Sequence, residues 1–313
     1  MRYRKLGNTD LEISAVVLGT WVFGGDCWGA AEDDRSVRVV EEAIDKGINF
    51  IDTAPIYGGG RSEEVIGRAI RGKKDRVMIA TKCGLQQKGS AIKPNLSSAF
   101  IREEIENSLR RLGVERIDLY QCHWPDPNTS IEESFGELMK LREEGKLRYI
   151  GISNYGADIM KRVLKICPVA SNQVQYSIFD RKIEKDLMPV CEETGVSVLS
   201  YGSLGGGILT GKYKEPPQLQ KGDVRSFFYK YYREPFWSKA RELVSVLEDI
   251  AGKRGVPVSH TAINWVLSRA GVAGCIVGCR TGEQLAQNIG AADWELSVEE
   301  LEAIEKRYSE TFG

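Results

Sequence analysis

A closed (β/α)8 barrel of the TIM class is the fold that this sequence predicts, with a β-hairpin ahead of it and long loops at its C-terminal face. Three observations lead there. The chain repeats one rhythm: an amphipathic segment, a glycine, then a short β-branched run. Eight strand candidates fall within 313 residues with no linker between them, so residues 1–313 read as a single domain. The competing fold, an open doubly wound sheet, normally carries a G-x-G-x-x-G turn after its first strand, and this chain has none.

Taken in order, "RYRKLGNTDLEIS" fits no β/α unit and reads as a short hairpin turning at Gly7–Asp10, placed to plug the barrel's bottom. The strand candidates end near Leu18, Ile51, Ala80, Cys122, Ile152, Val174, Leu199 and Val277. Ahead of the second, "SVRVVEEAIDKG" carries Val37, Val40 and Ile44 at helical spacing, and Gly47 closes the helix. "IREEIENSLRRLG" repeats this with Ile101, Ile105, Leu109 and Leu112 before Gly113; two later units end at Gly145 and Gly195. Alternating strands and helices predict parallel pairing through right-handed crossovers.

The composition suits an enzyme of this size: 42% hydrophobic and 28% charged residues, with a net charge of −1 that favours neither nucleic acid nor an anionic membrane. No apolar run approaches the ~18 residues of a membrane span, and "MRYRKLGNTD" is too polar for a signal peptide. Seven cysteines are scattered, with Cys275 and Cys279 the only close pair, which indicates neither a disulfide framework nor a zinc site and suits a reducing cytoplasm. Of the two histidines, His260 lies in "SHTAINWVLSR" beside inward Ile263, Val266 and Leu267 and reads as structural. His123 is then the one rim histidine, too few for a metal-dependent hydrolase, so no metal is expected.

Barrel enzymes gather their chemistry at the C-terminal strand ends. Those positions hold Gly19, Thr20 and Trp21, then Asp52 and Tyr57, Lys82, His123, Ser153 and Asn154, Gln173 and Tyr201. Singly, Asp52 also suits a turn cap, Tyr57 a loop aromatic and Lys82 a solvated charge; their occurrence at successive strand ends is what marks a site. A phenol, with a pKa of about 10, is a poor acid near neutrality. A nearby ammonium lowers that value, a carboxylate keeps the ammonium charged, and a neutral imidazole can donate to a carbonyl oxygen. Such a set protonates an oxygen but holds no hydride, which a cofactor must supply. "GGILTGKY" nearly matches a phosphate-binding P-loop but has Tyr213 where a hydroxyl is needed for Mg²⁺.

"FIDTAPIYG", "TKCG", "DLYQCHWPD", "GISN" and "SYGSLGGGILTGKY" resemble, in order and over nearly the whole chain, the signature segments of the aldo-keto reductase superfamily. Within it the chain is similar to the bacterial branch of general-stress and inositol-locus reductases, near the potassium-channel β subunits. The resemblance implies a barrel that binds NADP(H) without a Rossmann motif and acts on a small carbonyl or alcohol. It implies Tyr57 as general acid/base, tuned by Lys82 and Asp52, with His123 orienting the carbonyl. It further implies that Ser153, Asn154 and Gln173 bond the nicotinamide carboxamide, that Tyr201 stacks on the ring, and that Gly19, Thr20 and Trp21 line it. Gly202, Ser203, Leu204 and Gly205 match the loop over the diphosphate, and "IVGCRTGEQLAQN" the grip on the adenosine 2′-phosphate. Many members have a lysine where this chain has Gly278; Arg280, with Gln284 and Asn288, takes that role here, which leaves NAD(H) open as a second cofactor.

"GGDCWG" and "VRSFFYKYYREPFW" are the two long rim insertions, and Trp28, Trp124 and the aromatics Phe227, Phe228, Tyr231 and Tyr232 are candidates to line a substrate pocket. A second class of function is a cofactor-binding regulatory subunit with little turnover. On this sequence the hairpin comes first, with no long leading segment of the kind that occludes a channel, and the expectation is an enzyme.

Overall fold

The computed structural model describes every residue except Asp26, Cys27, Ala30, Ser90 and Lys221. Asp26 and Cys27, in the first rim insertion, therefore lie outside the described residues. Tyr3–Lys5 (β1) and Glu12–Ser14 (β2) pair antiparallel as the opening hairpin. The barrel strands follow as Val16–Gly19 (β3), Phe50–Asp52 (β4) and Met78–Cys83 (β5). After β5 comes a second antiparallel hairpin, Leu85–Lys88 (β6) and Ala91–Pro94 (β7). Ile117–Cys122 (β8), Leu147–Ser153 (β9), Ser171–Gln175 (β10), Ser197–Tyr201 (β11) and Val272–Gly278 (β12) complete the circle, closed by parallel pairing of β12 with β3.

The helices form for the expected reasons. Helix Asp33–Asp45 buries Val39, Val40, Ala43 and Ile44 on one face, with Val37 half-buried beside them. Helix Ser98–Leu112 buries Ile101, Ile105 and Leu112, and Gly113 ends it at a φ of 65°, a conformation that costs glycine nothing. His260 is structural, as expected. Its Nε2 meets the Gln287 carbonyl, and its Nδ1 accepts from Trp294 Nε1 at 3.2 Å.

Apolar packing is divided in two. The larger core lies between strands and helices. The smaller fills the barrel's lower interior, where Val17, Phe50, Ala80, Leu119 and Leu199 meet Leu6, Leu11 and Ile13 of the hairpin. Leu6 and Ile13 are fully buried, and the turn is tied down by the Gly7 N–H donating to Ser197 Oγ at 2.7 Å. The hairpin thus plugs the bottom, and polar groups are left at the other mouth. No described helix is long and apolar enough to cross a membrane.

Two expectations need correction. β5 does not end near Ala80 but runs to Cys83, so Lys82 lies inside a strand rather than after it. The reason is burial: the Lys82 side chain points into the barrel, where extended backbone carries it to Asp52 at the end of β4 and the Thr53 carbonyl just beyond. In the second rim insertion, Tyr231 and Tyr232 are buried and hold the loop down, donating to the Phe179 carbonyl at 2.6 Å and the Gly206 carbonyl at 2.8 Å. Phe227 is 71% exposed, and of the four only Phe228 reaches the site aromatics, 6.2 Å from Trp21.

Candidate active site

Asp52 ends β4 and is buried. Its carbonyl accepts from Thr20 N–H at 3.1 Å and Thr20 Oγ1 at 2.9 Å, so the end of β4 is fixed through its backbone. Ser62 Oγ links Thr20 Oγ1, at 2.8 Å, to Thr53 Oγ1, at 3.0 Å. Tyr57 opens the 3-10 turn Tyr57–Gly60, in which Gly58 and Gly59 take φ values of 62° and 63°. Trp21 stacks on the Tyr57 ring, with centroids 5.8 Å apart and planes at 22°.

Lys82 is fully buried and spends its three ammonium donors on three acceptors. These are Asp52 Oδ1 at 2.7 Å, the Thr53 carbonyl at 2.8 Å and Tyr57 Oη at 3.3 Å. Burial lowers the Lys82 pKa, and the Asp52 charge opposes that lowering. His123 follows β8, its ring edge-on to Tyr57 with centroids 6.0 Å apart. Burial, and next the Lys82 charge, hold its pKa well below the ordinary value, so the imidazole is neutral near pH 7. The structure therefore brings together the four residues singled out at the strand ends. Chemically this is a phenol with a cation on its oxygen and a neutral imidazole beside it.

The neighbouring strand ends carry the other predicted groups. Ser153 Oγ donates to the Gln173 carbonyl at 2.9 Å, and Asn154, at a φ of 63°, donates to Ser153 Oγ at 3.0 Å and to the His123 carbonyl at 3.2 Å. Tyr201 Oη donates to Asn154 Oδ1 at 2.9 Å. Ser203 is buried against Ser200, and Gly205 N–H donates to the Gly202 carbonyl at 2.8 Å. Leu204 caps the turn Gly205–Thr210, in which Gly205, Gly206 and Gly207 all take positive φ; a Cβ on Gly206 would meet the Tyr229 ring at 2.9 Å. The Tyr229 ring thus packs directly against the loop backbone.

Gly19 and Gly278 are register partners at the ends of β3 and β12. Arg280 N–H donates to Gln284 Oε1 at 2.8 Å, and buried Asn288 donates to Cys279 Sγ at 3.4 Å. The Arg280 side chain is exposed, and its pKa is lowered by partial burial and then by the like charge of Arg225. Of the candidate substrate aromatics, Trp28 packs edge-on against Trp21 at 5.5 Å, whereas Trp124, 42% exposed, stands out at the rim.

Three buried polar groups near the site were not singled out. Gln121, on β8, donates Nε2 to Asp52 Oδ2 at 3.1 Å; a glutamine inside the apolar strand "IDLYQC" was the available signal. Glu63 is buried between Thr81 Oγ1 at 2.6 Å and Arg111 at 2.6 Å. Glu104 accepts from Gly84 N–H at 2.6 Å, and burial pushes its pKa up to about 8. These two carboxylates sit on amphipathic helices, where sequence offers no means of telling a buried acid from a solvated one.

The chain resembles known proteins over nearly its full length. A family model described as Aldo/keto reductase family matches residues 15–309. An aldo-keto reductase of Bacillus subtilis is 37% identical over 307 residues, covering 97% of this chain and 92% of that protein. The NADH-specific methylglyoxal reductase of Escherichia coli is 33% identical over 98% of this chain and its own whole length. Among solved structures, the glycerol dehydrogenase of Gluconobacter oxydans superposes with a TM-score of 0.91 at 39% identity, covering 99% of this chain and 96% of that one. An aldo/keto reductase of Klebsiella pneumoniae, solved with NADP and acetate, gives 0.78 at 28% identity, covering 98% and 96%. The eight-stranded barrel, the site at its C-terminal mouth and these likenesses agree: this chain belongs to the Aldo/keto reductase family of oxidoreductases.

Proposed function

We propose that this protein reduces aldehydes or ketones to alcohols with NADPH, residues 1–313 acting as one catalytic domain. The observation that carries the proposal is the Lys82 ammonium, bonded at once to Asp52 Oδ1 at 2.7 Å and to Tyr57 Oη at 3.3 Å. In this reading Tyr57 donates its proton to the carbonyl oxygen, and Lys82 stabilises the phenolate that remains. His123, neutral and beside the phenol, orients that oxygen by donating a hydrogen bond. Trp21, Trp28 and Phe228 exclude water from one side, with Trp124 at the rim.

The nicotinamide cofactor supplies a hydride when bound. The residues present fit it. Gln173 turns Nε2 to Asp52 Oδ2 at 2.7 Å, which leaves its Oε1 to accept from a carboxamide; Ser153 and Asn154 stand beside it, and Tyr201 offers its ring. Gly202 to Gly205 would cradle the diphosphate. Arg280 and Gln284 stand at the start of helix Gly282–Ile289, with Asn288 in its last turn bonded back to Cys279, and there a 2′-phosphate would meet a guanidinium and a helix N-terminus. With Gly278 in place of a lysine, NADH is accepted as well, more weakly. The six described cysteines are free and buried, which suits the reducing cytoplasm.

The test is steady-state turnover of the purified protein with NADPH, then NADH, against a panel of aldehydes and ketones. Multiple turnovers with at least one carbonyl are expected. Tight cofactor binding without turnover across the panel, in both reaction directions, would favour a regulatory subunit and sink the proposal.

A further inference from the structure

We propose that Gln121 is a positioning residue for proton transfer: with Gln173 it clamps Asp52 Oδ2, so that Oδ1 stays against Lys82. The inference rests on the reading that Tyr57 is the acid that Lys82 tunes. Asp52 is buried and receives donors on both oxygens. Oδ1 takes the Lys82 ammonium at 2.7 Å. Oδ2 takes Gln173 Nε2 at 2.7 Å and Gln121 Nε2 at 3.1 Å, and Gln173 Nε2 also reaches Gln121 Oε1 at 3.4 Å. A carboxylate accepts and never donates, so both amides must present nitrogen to it.

Two further observations set Gln121 apart from a residue that merely fills space. It is fully buried inside the barrel, where an apolar side chain of like size would pack without the cost of drying an amide. The fold also makes room for it. Gln121 pairs in register with Lys82 on one side and Gly151 on the other, and a Cβ on Gly151 would stand 2.8 Å from Gln121 Cγ. The glycine at 151 leaves the path along which the amide crosses to Asp52.

Without Gln121, Oδ2 keeps one donor, the carboxylate gains freedom to turn about its Cβ–Cγ bond, and its hold on Lys82 weakens. The groups facing Lys82 are Asp52, Tyr57 and His123, with the Glu63 charge farther off. Burial already disfavours the ammonium, and Asp52 is its chief support, so a loosened Asp52 makes Lys82 easier to deprotonate. A less firmly charged Lys82 makes Tyr57 a poorer acid.

Gln121→Leu, Gln121→Glu and Gly151→Ala test this with two readouts. The first is kcat against pH for carbonyl reduction. The second needs no substrate: NMR titration of ¹³Cε-labelled lysine, with the buried resonance identified by its loss in Lys82→Met. Gln121→Leu should lower kcat about 10- to 100-fold, the range of one hydrogen bond to a charged group, with KM and NADPH affinity within about twofold. Its Lys82 titration should move to lower pH. Gln121→Glu keeps a donor only while the introduced carboxyl is protonated, so kcat should approach wild type at the acid end and begin to fall at a lower pH than that at which loss of the Tyr57 proton slows the wild type. Gly151→Ala should displace the amide and cost kcat several-fold, which keeps the test alive if Gln121→Leu does not fold. Variants that lose thermal stability but keep kcat within twofold and leave the Lys82 titration unmoved would overturn the inference. If the wild type reduces no carbonyl while the Lys82 titration shifts in Gln121→Leu, the clamp stands and the proposed function fails.

Discussion

Gly24 and Gly58 meet backbone to backbone above the barrel. A Cβ on Gly58 would stand 2.4 Å from the Gly24 carbonyl oxygen, and one on Gly24 would stand 2.7 Å from Gly58 N. The contact locks the loop after β3 to the loop after β4, on either side of Trp21 and Tyr57. It explains why "IYGGG" follows the acid: the phenol is anchored by a turn that only glycine can make at this distance.

Gly58→Ala should therefore displace Tyr57 while leaving every reacting group chemically intact. The substitution adds the clash to the strain of a φ of 62°. Carbonyl reduction is expected to fall at least about tenfold, since misplacement by about 1 Å costs on that order or more. Lys82 and Asp52 should remain paired and cofactor affinity unchanged. A variant with wild-type kcat would show that the two loops are not what places the phenol.

Tyr57→Phe keeps the ring that stacks on Trp21 and removes the proton donor. The fold and NADPH affinity should survive. The chemical step should slow about 10²–10⁴-fold, the usual contribution of general acid catalysis. Single-turnover kinetics isolates that step; retention of more than about a tenth of the wild-type rate there would move the acid to another residue.

Much of this arrangement was legible in the sequence. All eight barrel strands end within three residues of where hydrophobic runs and glycines put them, because a buried parallel strand is an apolar run that sequence marks directly. The meeting of Asp52, Tyr57, Lys82 and His123 was legible because ionisable residues at or near successive strand ends mark a barrel mouth more than a packed core. What escaped was carried by pairing in space. Gln121 takes its meaning from Asp52, 69 residues away. The β6–β7 hairpin has four-residue arms that bury little, so "LQQKGSAIKP" shows no decisive alternation. Tyr231 and Tyr232 looked like pocket residues because composition cannot tell an aromatic that holds a loop down from one that faces a ligand.

Glu104 offers a test by pH. Burial raises its pKa to about 8 against the lowering effect of the Gly84 N–H, with the Glu63 charge adding to the rise. The ordinary value is 4.5, so between 4.5 and 8 the folded chain holds a proton that the unfolded chain has released. That contribution to stability is complete below 4.5 and is lost as pH climbs through 8. From pH 6 to pH 9 the loss is about 3 kcal/mol, since the slope of 1.36 kcal/mol per pH unit acts over the two units up to pH 8. Glu104→Gln stays neutral throughout, so its Tm should fall less than the wild type's over that range, by a few degrees. Thermal melts at both pH values decide it; parallel losses in the two proteins would place the Glu104 ionisation elsewhere.

On the proposed reading, cofactor preference turns on the end of β12. Arg280 is exposed beside the start of helix Gly282–Ile289 and feels the like charge of Arg225, a setting that an anion would relieve. Arg225 itself is held by Asp223 at 2.6 Å and by Tyr213 at 2.7 Å, so Arg280 is the cation better placed to turn to a phosphate. Arg280→Ala should weaken NADPH about tenfold or more, from roughly 1.5–3 kcal/mol for a charge-assisted contact, and leave NADH within about twofold. A guanidinium merely solvated at the rim predicts small, equal changes for both cofactors, fading with salt. Gly278 supplies the complementary arm. Its φ is not left-handed, and a Cβ there meets nothing closer than Val22 Cγ1 at 3.4 Å, so Gly278→Lys fits the backbone as it stands. Added to Arg280→Ala, it should restore NADPH affinity while leaving NADH where it was. Fluorescence titration of the four proteins with both cofactors separates the outcomes: recovery for NADPH alone locates the 2′-phosphate at this strand end, and recovery for both or for neither removes it from there.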